Sequence, residues 1–443
     1  MHQQNLKGNR NPRLRLMPKR LRIFYFASAT LFGMGIFSTF QKKTVAGSVV
    51  TGNAPGRHAS TVASGSELED RLRGALWGFL AGDALASPTH WFYGGRRQVV
   101  SEYGHAITDY TKPNQHLSGS ILNKSDMNGG GRSKFGASSG PGSVQTIIGG
   151  VINHGKEDLW SPSQSNHYHA TLQKGENTLE ASLARVLMKS IVATDGKFDA
   201  DHFRDAYVRF MTTPGSHNDT YASTCHRMFF ANLVFRRLPP KDCPDNDQHN
   251  VDTIDGLVLP TIVALAGSFR GGSPEIERSA SDCAAVTRRS TVLERIAASW
   301  SGVVVEAVRS PSDEGFREAL DRFSMETIRR RPNDRVRDDT TMSACYLGSS
   351  LPGLIDMVAK YSPTSGSTDP GDRVWEGLLA NANVGGENVH RGSSMGAILG
   401  ARAGAARLPS KLVAGLYPRS ELEAEIDDFV RAVMPKPSQE SHQ

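Results

Sequence analysis

Beyond residue 66, apolar residues recur at three- and four-residue intervals through almost every patterned stretch, and β-branched residues seldom alternate with polar ones as a half-buried strand requires. Leu179, Leu183, Val186, Leu187 and Ile191 make one such stripe; Leu293, Ile296, Ala297, Trp300 and Val304 make another. The pattern predicts a single all-α domain of many helices over residues 67–435, with a short tail at 436–443. Residues 117–142, rich in Gly and Ser, and 236–250, with Pro239, Pro240 and Pro244 among charges, read as irregular inserts within it.

Glycine spacing adds a packing expectation. Gly74, Gly78 and Gly82 lie four apart in RGALWGFLAGDAL, and Gly392, Gly396, Gly400 and Gly404 lie four apart in HRGSSMGAILGARAGA. A glycine inside a helix costs about 1 kcal/mol against alanine, so two such rows ask for a reason, and close approach of two backbones supplies one. The charges of Arg391, Arg402 and Arg407 exclude a membrane dimer. The two helices are therefore expected to pack together in a soluble core, bringing Asp83 near the Glu387–His390 segment.

Charge changes the picture at the amino end only. The formal net charge is +6, but ten of the 51 Lys and Arg lie in residues 1–66, which contain no Asp or Glu, so the remainder is net acidic and does not read as a nucleic-acid binder. Within the tail, residues 23–40 are uncharged and mostly apolar behind a cationic flank. They read as a signal-anchor that would place the protein at a membrane or in the secretory pathway; a cleaved signal peptide or an organelle-targeting sequence fits the same pattern. The four cysteines, Cys225, Cys243, Cys283 and Cys345, have neither metal-site spacing nor disulfide density and read as free thiols.

Three segments carry candidate chemistry. In GDALASPTHWFYGG, Pro88 ends the glycine helix and His90 follows on a turn. In KGENTLEASLARVL, Asn177 reads as a helix N-cap with Glu180 completing a capping box, which leaves Glu176 free for chemistry. In NVGGENVHRGSSMG, Gly385 and Gly386 precede Glu387, Asn388 and His390 at a helix start, where backbone N–H groups attract anions. Two other polar runs are less specific: His217 to Thr220 fits a cleft lip or a helix cap, and Asp338-Asp339 an exposed acidic cap.

At these residues the chain resembles the ADP-ribosylglycohydrolase family, the all-helical fold of dinitrogenase-reductase-activating glycohydrolases that also includes the J1 crystallins. GALWGFLAGDALASPTHW is similar to the family's opening helix, GENTLEASLARVL occupies the place of its TDDT motif, and NANVGGENVHRGSSMGAILGA follows its last motif without a gap. The resemblance implies two Mg²⁺ ions held among carboxylates and hydrolysis of a bond to ADP-ribose. Carried over by position, however, the family's ligands fall on His90, Gly175, Glu176, Asn177, Glu387, Asn388, Val389 and His390, with Thr178 retained. Two carboxylates survive, both as Glu, and valine can ligate nothing. Two glutamates and two histidines could hold one divalent ion, Mg, Mn or Zn, with imidazole suiting Zn, Mn or Fe better than Mg, or could do acid–base work without metal.

The expectation is thus a hydrolase with a remodelled site, cleaving an N- or O-glycosidic bond of an ADP-ribose-like or nucleoside-derived substrate. Glu387, Glu176 and His390 are the expected catalytic residues, and His90, Glu176, Glu387 and His390 the possible metal ligands. Asn177, Asn388, Gly385, Gly386 and Arg391 are expected to bind substrate, with Asp83 and Thr178 supporting from behind. The alternative is a non-catalytic nucleotide-binding or structural protein of the same fold.

Overall fold

A computed structural model describes residues 64–120, 122–129, 146–244 and 251–435. The chain divides into two units, residues 1–58 and 59–443, and all the described residues belong to the second. The apolar segment 23–40 and the tail 436–443 lie outside the described residues. Among those residues there are fourteen α-helices and no strand. None of these helices is long and apolar enough to cross a membrane.

The architecture grows from one pair of helices. α1 (Gly65–Ala86) starts at an N-cap, Ser64, whose hydroxyl accepts from Glu67 N. Its first helical residue, Gly65, lies two residues and its N-cap three residues before 67, where the pattern places the domain boundary, and it ends where Pro88 enters a short 3₁₀ turn, Ser87–Thr89. α12 (Asn388–Ala403) is buried along its whole length. The two run antiparallel, and a Cβ built on Gly74, Gly78 or Gly82 would stand 2.3, 2.1 or 2.0 Å from the carbonyl oxygen of Gly400, Gly396 or Gly392. No real Cβ fits there. The glycine rows are the contact surface, and the C-terminal end of α1 therefore meets the N-terminal end of α12.

Around this pair the remaining helices bury single faces. α6 (Val258–Gly267) is apolar on all sides and lies inside, packed on α7 (Ser273–Thr287) and α8 (Thr291–Arg309), whose Trp300 indole donates to Thr261 Oγ1 at 2.9 Å. α3 (Leu179–Ala193) buries Leu179, Leu183, Leu187 and Ile191 against α6, α4 (Ala200–Thr212) and α14 (Arg419–Val433). α9 (Asp313–Ile328), α10 (Leu347–Tyr361) and α11 (Pro370–Val384) close the far side of α12. The shorter α2 (Gly95–Tyr103), α5 (Thr224–Val234) and α13 (Ser410–Ala414) fill the gaps.

The first insert is packed more closely than its composition suggests at 117–120 and 122–129. Leu117 and Leu122 are fully packed, and Arg227 donates to the Asp126 carbonyl. All four cysteines are free thiols. Asp338 pairs with Lys360 at 2.8 Å and Asp339 with Arg337 at 2.6 Å, so that acidic run forms ion pairs.

Candidate functional site

Two glycines set the approach to α12. Gly385 and Gly386 have φ of +70° and +66°, and a Cβ on either would meet the Phe92 or Ser343 carbonyl oxygen at 2.3 or 2.6 Å. Their backbone pairs with the turn after α1, through Trp91 N to Gly386 O at 2.8 Å and Gly386 N to Phe92 O at 3.2 Å. This pairing lays His90 and Trp91 beside Glu387. The glycines thus shape the backbone, and Gly386 spends both its N–H and its carbonyl on this pairing. Arg391 grips the same loop: its guanidinium donates to Asn381 Oδ1, the Thr341 carbonyl and the Gly385 carbonyl at 2.7, 3.2 and 3.1 Å. Burial lowers its pKa to about 10, so it stays charged at neutral pH. The expectation that Arg391 reaches substrate is corrected: it is fully buried and holds the loop from inside.

Glu387, His90 and His390 converge. His90 Nε2 lies 3.0 Å from Glu387 Oε1, His390 Nδ1 contacts the same oxygen, and the Trp91 indole N–H donates to Oε2. The donor atoms of the three residues lie within 4.8 Å of one another, and all three are buried. Burial opposes the charged form of each. His90 and His390 nevertheless hold the Glu387 carboxyl well below its ordinary range, and Glu387 lifts His390 to about 9. At His90 burial wins, and its pKa falls to about 4.

Two further members join this cluster: His169, which was not expected from the sequence, and Asp219, which was read only as part of a cleft lip or a helix cap. His90 Nδ1 contacts His169 Nε2 at 2.7 Å, and His169 Nδ1 contacts Asp219 Oδ1 at 2.7 Å. The chain turns here, Ala170 N donating to the His167 carbonyl at 3.2 Å, so a turn and not an alternating pattern brings His169 in. His167 Nε2 reaches the Pro88 carbonyl at 2.9 Å, and His169 reaches His90.

Proton counting then constrains the cluster. Two imidazoles between two carboxylates make three contacts, but two neutral rings carry two N–H groups. With His169 donating to Asp219 and His90 donating to His169, His90 Nε2 turns a lone pair toward Glu387. A cation at that point, either a proton or a metal ion, removes the clash.

The other candidates sit elsewhere. Glu176 does not join the three: its carboxylate accepts from Gln173 N at 2.7 Å and Asn218 Nδ2 at 3.0 Å, on a groove of about 860 Å³ shared with Asn177, Arg185, His217 and Tyr417. Gly175 at φ +75° turns the chain so that residue 176 faces this groove. Asn177 is not the N-cap, and no capping box forms. Thr178 holds that position, and the free N–H groups of α3 are met from a distance: Asp83 Oδ1 accepts from Thr178 N and Asp219 Oδ2 from Leu179 N, both at 2.8 Å. Asn177 Nδ2 donates to the same Asp83 oxygen at 2.9 Å, and Thr178 Oγ1 to Oδ2 at 2.7 Å. Glu180 pairs with His226 at 2.9 Å.

Asn388 is also turned inward, donating to Thr89 Oγ1 at 2.8 Å, and its expected contact with substrate hydroxyls has no room. Nor is the start of α12 open to a diphosphate, since residues 387–391 are all buried and Glu387 N donates to the Ser343 carbonyl.

Helical core, glycine-paired first and last motifs and a buried polar centre at their junction define an ADP-ribosylglycohydrolase-type domain. A model of the ADP-ribosylglycohydrolase family matches residues 64–439, and the chain belongs to that family. Among solved structures it is similar to an ADP-ribosylglycohydrolase-related protein complex, at 18% identity over 83% of this chain and 100% of that one, with a TM-score of 0.48. A comparison with curated proteins finds no match.

The residues present do not fit the two Mg²⁺ ions that the resemblance implies. Magnesium wants an octahedral shell of oxygens; here Val389 is apolar, Asp83 and Asp219 are committed to the start of α3, and the converging donors are two imidazoles and one carboxylate.

Proposed function

We propose that this protein is a hydrolase of the N- or O-glycosidic bond of an ADP-ribose-like ligand, with one transition-metal ion on His90, Glu387 and His390 in place of a two-magnesium centre. The observation that carries the reading is the convergence of those three donors within 4.8 Å. Two histidines and one carboxylate are a common ligand set of zinc hydrolases. When bound, such an ion supplies an activated water and a Lewis acid. The chain's own residues bind, orient and shield. His90 presents Nε2 with its proton held on the far nitrogen, and Glu387 keeps its charge in a buried place. Trp91 covers the carboxylate and excludes bulk water.

The groove beside Glu176 is the proposed ligand site. Its volume lies within the roughly 300–1,000 Å³ usual for such pockets. Asn177 Oδ1 and His217 Nδ1, both buried without a hydrogen-bond partner, offer acceptors to ligand hydroxyls, and the half-exposed Tyr417 ring offers a face. Glu176 is accordingly reassigned from metal ligand to ligand binding. Residues 23–40 are proposed to bring the protein to a membrane or the secretory pathway, which fractionation of the full chain against residues 41–443 tests.

Release of ADP-ribose from an ADP-ribosylated protein, with and without Zn²⁺ or Mn²⁺, tests the activity. Metal-dependent turnover lost in Glu387→Gln supports it, and no turnover under any condition refutes it. One observation favours the second reading, a ligand-binding or structural protein. Glu387 is already contacted by three neighbours inside a closed cluster, an arrangement that needs no substrate. That reading predicts ADP-ribose binding, or none, without turnover.

A further inference from the structure

We infer that His169 and Asp219 are positioning residues for the metal site, a clamp that fixes which nitrogen of His90 faces the ion. The clamp rests on the metal reading above but on different residues and different contacts.

The geometry is that of a directed hydrogen-bond chain. The His90 and His169 rings are parallel within 8°, with centroids 5.0 Å apart. That separation is too wide for face-to-face contact and matches the 2.7 Å nitrogen contact plus the two ring radii, so the rings lie edge to edge in one plane. Asp219 accepts from His169 Nδ1, which leaves His169 Nε2 as an acceptor and commits the His90 proton to Nδ1. The unprotonated Nε2 of His90 then points at Glu387 and His390. Ligating histidines elsewhere are held this way by a carboxylate or carbonyl behind them, and loss of that partner typically costs about 10–100-fold in metal affinity.

A purely structural role explains the chain poorly. His167 already ties the same segment to the Pro88 carbonyl, and it also accepts from His169 N at 3.0 Å. Burying a second imidazole and a carboxylate to repeat that task carries a desolvation cost that an apolar residue of similar size avoids. Asp219 spends its other oxygen on Leu179 N, so one carboxylate fixes both the start of α3 and the tautomer of His90.

The test is titration of the chelator-stripped full chain with Co²⁺, followed by its visible absorption, in wild type, His169→Leu, His169→Gln, Asp219→Asn and the control Glu387→Gln. His169→Leu removes the acceptor and is expected to weaken Co²⁺ binding about 10–100-fold. His169→Gln keeps an oxygen acceptor near the same place and is expected to restore most of it. Asp219→Asn, with its oxygen kept on Leu179 N, turns an N–H toward His169, forces the opposite tautomer down the chain and is expected to weaken binding although the fold is kept. Binding by His169→Leu or Asp219→Asn equal to wild type overturns the clamp. Equal losses in both His169 variants, matched by equal falls in the melting temperature of the metal-free protein, overturn it in favour of a structural role. Wild type that binds no Co²⁺ overturns the metal reading and the clamp with it; binding that Glu387→Gln removes but His169→Leu does not overturns the clamp alone.

Discussion

Buried imidazoles do different work according to what stands at each nitrogen. His226 places one nitrogen 2.9 Å from Glu180 and the other 2.8 Å from the Tyr207 hydroxyl. Burial disfavours its charged form, yet Cys225, Tyr207 and Glu180 raise its pKa well above 6.5; of these Glu180 is the group ionised at neutral pH. Burial would likewise raise Glu180, but His226 brings it down to about 2. The raised histidine contributes stability that is complete below pH 6.5 and lost as pH rises through its folded value. The depressed glutamate contributes stability that is complete above pH 4.5 and lost as pH falls toward about 2. His226→Gln is therefore expected to cost most between pH 4.5 and 6.5, on the order of 2–3 kcal/mol, with the gap to wild type narrowing on both sides. Urea denaturation across pH 4–9 reads this directly, and a pH-independent gap contradicts it. Arg391→Met is expected to destabilise by about 3 kcal/mol, because three oxygen acceptors around the loop lose their donor. The same denaturation measurement checks it.

At the scale of elements, α1 and α12 make the strongest prediction because its sign is unusual. Alanine in place of a helix-interior glycine ordinarily gains about 1 kcal/mol. Gly78→Ala must instead push two backbones apart, since its Cβ would stand 2.1 Å from Gly396 O, and it is expected to destabilise by about 1–3 kcal/mol net. A stabilised Gly78→Ala protein, measured by chemical denaturation, would show that the pair is loose.

These elements also show what the sequence discloses. Four-residue glycine spacing is legible because helix period and backbone approach are local rules, and so is the placing of Glu387 and His390 at one helix start. Asn177 differs from its expected role for the opposite reason: Asp83 and Asp219, from other parts of the chain, meet the helix start that a local cap would otherwise serve. His169 and Trp91 are not legible because loop conformation brings them in, at Trp91 with a left-handed φ of 60° that no spacing rule foresees. Glu176 has other partners than its spacing suggests because a single positive-φ glycine redirects it.

In the molecule as a whole, the start of α3 links the buried cluster, through Asp219, to the groove beside Glu176. ADP-ribose at about 100 times its dissociation constant is expected to stabilise the protein by about 2.7 kcal/mol, read as a rise in melting temperature. Glu176→Ala and Tyr417→Ala are expected to reduce that rise, leaving metal binding intact, and a rise unaffected by both moves the ligand elsewhere.

His90, Glu387 and His390 are proposed to form a one-ion centre where the family resemblance implies two ions. Calorimetric titration of the chelator-stripped full chain with Zn²⁺, repeated with Mg²⁺ and with Glu387→Gln, tests it most directly. A one-ion centre predicts one saturable Zn²⁺ equivalent, no Mg²⁺ uptake at comparable concentration, and loss of the Zn²⁺ signal in the variant. Two Mg²⁺ equivalents, or Zn²⁺ binding that the variant leaves unchanged, would contradict it.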